Sequence, residues 1–302
     1  MKILICGSKG QLGWELMRQG NHFDIMGLDL PELNITDREN IAACTKDFSP
    51  DLLINAAAYT SVDGAESDAD TAFAVNRDGP ACLAAFCKEK GIPLIHISTD
   101  FVFDGTKTSP YAEDDPVSPL GIYGKSKAEG EDAVRNTLAE YIIIRTAWLY
   151  GVHGHNFVKT MLRLGREREE LAVVADQKGC PTFAGDLAGA VLKIAEYIRK
   201  GGNIPWGTFH CCGQGICSWH GFTEKIMEYA RPFFPIRTKK IRAITTADYP
   251  TPARRPAYSA LDCTKIREHF AVEIPDWEES LEKTIRKMAE MNKEGSADRN
   301  VP

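Results

Sequence analysis

Tyr123 and Lys127 lie four residues apart in the run Tyr123-Gly124-Lys125-Ser126-Lys127, a spacing that sets a phenol and an ammonium on one face of a helix. Ser118-Pro119, just upstream, reads as the cap and first turn of that helix. A phenol with an ordinary pKa of about 10 is a weak acid at neutral pH. A neighbouring ammonium stabilises the phenolate and draws the pKa toward the working range. The pair therefore points to a proton donor. Taken alone, the spacing describes many solvated helix faces, so its weight rests on what accompanies it.

The amino terminus supplies the first companion. Lys2-Ile3-Leu4-Ile5-Cys6 is an apolar run followed by Gly7-Ser8-Lys9-Gly10-Gln11-Leu12-Gly13 and a helical pattern through Met17. Strand, glycine turn and helix are the parts of a dinucleotide site. Gly7 permits the tight turn, Gly10 lets a pyrophosphate approach the backbone, and Gly13 allows close helix packing, with the helix N-terminus facing the phosphates. The spacing is GxxGxxG rather than the commoner GxGxxG.

Apolar strands and helical patterns alternate along the first half of the chain. Phe23–Leu28, Leu52–Asn55, Pro93–Ile97 and Tyr141–Ile144 read as strands, and Asp37–Lys46, Ala65–Asn76, Gly79–Lys90 and Gly121–Asn136 as helices. This predicts an α/β fold, a doubly wound, Rossmann-like parallel sheet with a smaller C-terminal substrate-binding lobe. Residues 1–149, with parts of 171–200, are assigned to the dinucleotide-binding domain, 150–170 and 201–293 to the lobe, and 294–302 to a flexible polar tail. Helices are expected over Phe157–Glu169 and Asp186–Lys200, and a buried strand over Thr208–Cys211.

Ligands of such sheets collect at the carboxyl ends of the strands. Asp29, after the second strand, would accept hydrogen bonds from an adenosine ribose. Asn55-Ala56-Ala57-Ala58-Tyr59-Thr60 follows the third strand, and its small residues let backbone lie against a cofactor. Ser98-Thr99-Asp100 ends the fourth strand in three polar side chains, and the Thr99 hydroxyl is placed to share a substrate oxygen with the Tyr123 phenol.

Composition narrows the class. A net charge of −6 over 302 residues argues against a nucleic-acid groove, which needs a basic stripe. No apolar run approaches the roughly 20 residues of a membrane helix, and Met1-Lys2 leads straight into a strand, so a cytoplasmic protein is expected. The nine cysteines include no CxxC pair, and reduced thiols are expected. His210-Cys211-Cys212 with Cys217 and His220 is read as packing rather than a metal site, as are His153 and His155 in their glycine-rich loop.

These motifs, together with Arg145-Thr146-Ala147-Trp148-Leu149-Tyr150-Gly151, Asn156-Phe157-Val158, Asp176-Gln177, Gly179-Cys180-Pro181-Thr182, Arg255-Pro256 and Ser259-Ala260-Leu261-Asp262, resemble the dTDP-4-dehydrorhamnose reductases, extended short-chain dehydrogenase/reductases, over residues 1–265. The resemblance implies a catalytic triad of Thr99, Tyr123 and Lys127, with Asp100 and Trp148 contacting the sugar. It places Gly7, Gly10, Gln11, Leu12, Gly13, Asp29, Asn34, Ile35, Ala58, Tyr59 and Thr60 against the dinucleotide. Asn34 stands where family members often carry Asp.

The implied reaction is reduction of the 4-keto group of a dTDP-6-deoxy-L-hexose, with NADPH as cofactor and NADH also accepted. The implied partner is the dTDP-sugar, and the expected state is a monomer or homodimer. Two other readings share the fold. A non-catalytic subunit resembling the methionine adenosyltransferase β subunit is disfavoured by the intact Thr99, Tyr123 and Lys127. A nucleotide-sugar epimerase or dehydratase shares the triad, but dehydratases generally also need an acid/base carboxylate pair, and Thr99-Asp100-Phe101 contains no Glu; the closest alternative is a stereochemically distinct nucleotide-sugar 4-ketoreductase. No metal is expected. Some relatives bridge a dimer through Mg²⁺ using carboxylates, and here the matching position is Gly185, although Glu15 remains available.

Overall fold

A computed structural model describes residues 1–297. Strands β1 (Lys2–Cys6), β2 (Asp24–Leu28), β3 (Leu52–Asn55), β4 (Leu94–Thr99) and β5 (Tyr141–Thr146), with a sixth strand at Gly207–His210, form one parallel sheet. Its order is sixth strand, β5, β4, β3, β1, β2. Alternate side chains of each strand enter opposite cores. Ile3, Ile5, Leu52, Ile54, Ile142 and Ile144 face one layer, while Leu4, Cys6, Leu53 and Ile143 face the other. Burial on both faces explains why these strands read as continuous apolar runs.

Helix α1 (Gln11–Gln19) and the helix Ala184–Lys200 pack together on the first face. Helix α2 (Arg38–Thr45) and the helices Gly79–Lys90 and Ile122–Thr137 contribute to the second. The chain runs from β1 outward to β2 and then back across to β3, so the strand order reverses beside β1. Crevices of this kind are where open parallel sheets bind ligands. A separate core of Tyr150, Val158, Met161, Phe222, Ile226 and Leu281 builds a lobe, in which Glu170–Val174 pairs in parallel with Lys240–Ile244.

Three stretches differ from the sequence reading. Gly207–His210 belongs to the main sheet, paired to β5, so the central sheet draws a strand from the 201–293 stretch assigned to the lobe. The helix expected over Ala65–Asn76 is broken into Val62–Ala65 and Ala69–Phe73, followed by one π-helical turn at Ala74–Asp78. Ser67 and Asp68 lie at the break, where the Ser67 hydroxyl bonds the Gly64 carbonyl, and such side chains compete with helical hydrogen bonds. The last helix, Trp277–Ala297, covers part of the expected tail, and residues 298–302 lie outside the described residues. Among the described residues no helix is long and apolar enough to cross a membrane.

A buried charge cluster ties β4 and β5 to the helix Ile122–Thr137. Glu131 accepts from Ser98 Oγ (2.5 Å), Arg145 Nε (2.9 Å) and Arg145 Nη2 (2.7 Å), and also from Arg135. Burial would push the Glu131 carboxyl up, but Arg145, together with Ser98 and Arg135, holds it below its ordinary range. Removing one partner strands the other charge in the interior. Glu131→Ala should therefore lose about 3–5 kcal/mol of stability, measured by urea unfolding. In the parent the contribution is complete above the unfolded carboxyl pKa and lost as pH falls through the lower folded value.

Candidate active site

The helix carrying Tyr123 begins at Ile122 with Gly121 as its cap, and no side chain of its own segment caps it. Ser118-Pro119 is therefore not the cap. The free first-turn amide of Ile122 is met from a distance by Glu66 Oε1, at 2.8 Å, and a Cβ on Gly121 would lie 2.6 Å from that same oxygen. Gly124 is pressed against the turn Asp100–Val102, so that a Cβ there would sit 2.2 Å from the Phe101 carbonyl oxygen. This close approach brings the phenol-bearing turn up to the end of β4, where Thr99 and Asp100 stand.

Thr99 Oγ1 donates to Asp100 Oδ1 (3.0 Å) and accepts from Phe101 N–H (3.2 Å). Asp100 is buried, and burial pushes its carboxyl up to about 6, against hydrogen bonds from Ser259 and Thr99 that lower it. Lys127 is also buried, and its Nζ donates to the Ile97 carbonyl at 2.6 Å. Burial brings its pKa down to about 8, with the Glu131 carboxylate acting in the opposite sense. Burial pushes the Tyr123 phenol up to about 12, helped by Asp100 and opposed by the Thr99 hydroxyl. The downward pull of Lys127 on Tyr123, expected from their spacing, is not among the influences on the phenol in this structure. Both groups pay for desolvation, and the ammonium is spent on the Ile97 carbonyl.

The glycines of the loop each meet a distinct steric demand. Gly7 has φ of +82°, and a Cβ there would lie 2.5 Å from Ala57 N. A Cβ on Gly13 would lie 2.0 Å from the Gly7 carbonyl oxygen. Both glycines therefore serve close packing of the loop on β3 and α1. Gly10 caps α1 without any side-chain bond, leaving first-turn amides of the kind that bind phosphates. Leu12 is core, so only its backbone faces this site, while Gln11 Oε1 accepts from Asn156 Nδ2 of the lobe at 2.9 Å. Asp29 Oδ2 accepts from Lys9 N–H (2.9 Å), and the Lys9 ammonium reaches Glu32 and the Leu30 carbonyl, each at 2.9 Å. Asn34 Oδ1 accepts from Thr36 within its own turn, and Ile35 is buried against Gly79. The polypeptide of Tyr59 is held by the Asn76 side chain.

A family model described as the RmlD substrate binding domain matches residues 1–290. A curated dTDP-4-dehydrorhamnose reductase from Aggregatibacter actinomycetemcomitans is 43% identical over 293 residues, 96% of this chain and 99% of the relative. The crystal structure of a dTDP-4-dehydrorhamnose reductase from Clostridium acetobutylicum superposes with a TM-score of 0.88 at 40% identity, over 95% of this chain and 99% of that one. The chain belongs to the dTDP-4-dehydrorhamnose reductase family. A reductase of this family from Bacillus anthracis, solved in complex with NADP, is 37% identical with a TM-score of 0.88 over the same shares of the two chains.

Trp148 of this reductase has φ of +45°, a strained value for a bulky residue. Its ring lies parallel to Trp219, with centroids 3.5 Å apart, and a Cβ on Gly179 would come within 2.5 Å of it. One face expected to line the sugar site is therefore covered by a second indole. Trp219 had no sequence signal beyond Ser218, whose hydroxyl caps the helix Trp219–Ala230. Nor did Asn76 or Glu131 announce themselves, because the contacts of Asn76 with Tyr59 and Ser126 and of Glu131 with Ser98 and Arg145 are distant in sequence. Glu15 is buried and accepts from Arg18 and Gln19, while Asp186 accepts from Ser280. A Cβ at Gly185 would run into Phe183. Cys211 and Cys212 are buried free thiols. Among the described residues no group of three candidate ligands gathers as a metal site.

The raised Asp100 carboxyl gives a pH test. The kcat/KM profile of the free enzyme should show an acid limb near pH 6, and Asp100→Asn, which cannot ionise, should remove that limb. Steady-state kinetics from pH 5 to about 8 checks this, and an unchanged limb would assign it elsewhere.

Proposed function

We propose that this reductase converts dTDP-4-dehydrorhamnose to dTDP-L-rhamnose, with Tyr123 as the proton donor. The observation that carries the reading is the convergence of Thr99, Asp100, Tyr123 and Lys127 at the end of β4, enforced by the contact of Gly124 with Phe101. The bare helix-start amides, the glycine turn and Asp29 fit a dinucleotide. When bound, the nicotinamide supplies hydride.

The chain's own residues do the rest. The Tyr123 phenol and the Thr99 hydroxyl, once its single hydrogen turns from Asp100 Oδ1, offer two donors to the 4-keto oxygen, orienting it and stabilising the charge that develops there. Tyr123 then transfers its proton to that oxygen. A phenol near 12 holds its proton in the resting site, and Lys127 lowers the cost of releasing it once its ammonium turns from the Ile97 carbonyl toward the phenol and ribose. Asp100 and Trp148 position the sugar. A cleft of about 420 Å³ in the lobe is lined by Phe157, Met161, Arg168, Gln177, Trp219 and Arg255, and the stacking of Trp219 on Trp148 places it next to this corner. Its apolar walls and guanidinium groups suit a nucleoside diphosphate. Asp63 already holds Arg255 through bonds of 3.0 and 2.7 Å, which fixes that guanidinium in place.

Tyr123→Phe keeps the ring and removes the proton. Turnover should fall by roughly 100-fold or more, the scale of general acid catalysis, with dinucleotide affinity retained. Stopped-flow turnover alongside calorimetry separates the two, and unchanged turnover would remove Tyr123 from this role.

For the cofactor, the reading is that NADPH and NADH are both accepted. Asp29 suits a free ribose 2′-hydroxyl and opposes a 2′-phosphate, whereas Lys9 is near enough to favour the phosphate if it leaves its exposed pairing with Glu32. Lys9→Ala should raise KM for NADPH roughly tenfold and leave KM for NADH within about threefold. Equal changes in both constants would show that Lys9 does not sense the 2′ position.

A further inference from the structure

Three thiols gather beside Trp148, and the reduction uses none of them. Cys180 and Cys212 are buried in one apolar cluster with Phe103, Tyr111 and Leu261, and Trp148 and Cys263 pack against it. Cys212 Sγ and Cys263 Sγ meet at 3.5 Å, although 51 residues separate them in sequence. Both also approach the Leu261 carbonyl oxygen, at 3.9 and 4.0 Å. Thiols are weak donors and acceptors, so packing holds the pair in contact. The two differ in access. Cys212 is 2% exposed, whereas Cys263 is half-buried at the cap position of the helix Thr264–Phe270, where its side chain makes no capping bond. A reachable thiol beside a hidden one is the arrangement of an attacking and a resolving cysteine.

Both sulfurs are braced to the active-site corner. Gly213, which follows Cys212, donates its N–H to Thr182 Oγ1 at 3.2 Å, and the Thr182 N–H donates to the Trp148 carbonyl at 3.2 Å. A Cβ on Gly213 would lie 2.1 Å from the Pro181 carbonyl oxygen, so this brace is tightly packed. On the other side, the Asp262 N–H donates to the Tyr111 carbonyl and the Tyr111 N–H to the Ala260 carbonyl, each at 2.8 Å. A disulfide would bring the sulfurs from contact to about 2.05 Å and draw the two braces together. Trp148, at the end of the first, already has a strained φ of +45°.

We propose that Cys212 and Cys263 form a reversible thiol-oxidation site, closed to a disulfide by hydroperoxides, and that the closed form weakens sugar-nucleotide binding by shifting Trp148. The second half rests on the reading that this indole faces the sugar. The chemistry balances in two steps. The Cys263 thiolate attacks one peroxide oxygen and breaks the O–O bond, giving a sulfenic acid, while the thiol's proton ends on the leaving alkoxide as an alcohol, or as water from hydrogen peroxide. Cys212 then attacks that sulfur and expels hydroxide, which takes the Cys212 proton and leaves as water. Two thiols are thus oxidised for each hydroperoxide reduced, and a small dithiol reverses the bridge by exchange.

The purified full chain is titrated with hydrogen peroxide, its cross-links are mapped by peptide mass spectrometry, and KM for the sugar nucleotide and NADPH affinity are measured before and after. The parent should lose the mass of two hydrogens, yield a Cys212–Cys263 peptide pair and show KM raised roughly fivefold, with NADPH affinity within about threefold. Dithiothreitol should restore the starting KM. Cys263→Ser should form no bridge and keep its KM through the same treatment. Oxygen addition without a bridge overturns the proposal, as does a bridge between other cysteines or a mapped Cys212–Cys263 bridge with KM unchanged. If Cys263→Ser does not fold, the parent decides alone, through the mapped bridge and its dithiol-reversible KM. A reduced parent that turns over no sugar nucleotide would instead refute the proposed function, and the mapped bridge would still test the thiol pair.

Discussion

An ammonium ion buried at the end of a parallel sheet is the constraint around which the rest of the site is arranged. Lys127 is hidden from water, and an isolated buried charge is far too costly to persist without partners. The Ile97 carbonyl takes one of its hydrogens, and Glu131, one helical turn further on, offsets its charge. Glu131 is in turn shared with Arg145, Arg135 and Ser98. The ion network running back under the helix is thus the far end of the device that keeps a lysine beside a phenol. Two glycines, Gly124 and Gly130, let that helix approach the β4 turn and the π-helical turn closely enough for the network to close.

Much of this was legible in the residues alone, and the reason lies in which signals are local. The glycine turn, the alternation of strands and helices and the Tyr123–Lys127 spacing all arise within a few residues, so they survive without knowledge of the fold. Strand β3 and the helix Gly79–Lys90 begin and end where the sequence places them. The features that escaped are set by distant partners. Gly121 serves as a helix cap because Glu66 supplies the missing acceptor, which Ser118-Pro119 could not foretell. Gly207–His210 joins the main sheet only because β5 has an open edge to receive it. The direction of the Tyr123 shift follows from how deeply both groups are buried, a quantity that spacing does not encode.

The lobe and the sheet are joined by polar contacts as well as packing. Asn156 reaches across to Gln11 in the glycine loop, and Arg255 reaches Asp63 after β3. His153 also contacts the Lys9 carbonyl, at 2.9 Å. Each bond links a lobe segment to a segment assigned to the dinucleotide. The lobe and the sheet are therefore registered at three points, and close positioning of reacting atoms needs that kind of shared frame.

The paired indoles of Trp148 and Trp219 carry a consequence of another kind. Two chromophores lying parallel at 3.5 Å do not absorb or emit as independent rings, because their transition dipoles couple at so short a separation. A ligand that slid between them, or turned one aside, would uncouple the pair. The polypeptide therefore contains its own optical gauge of the corner where Trp148 meets Trp219, readable in the circular dichroism and emission of the unlabelled protein.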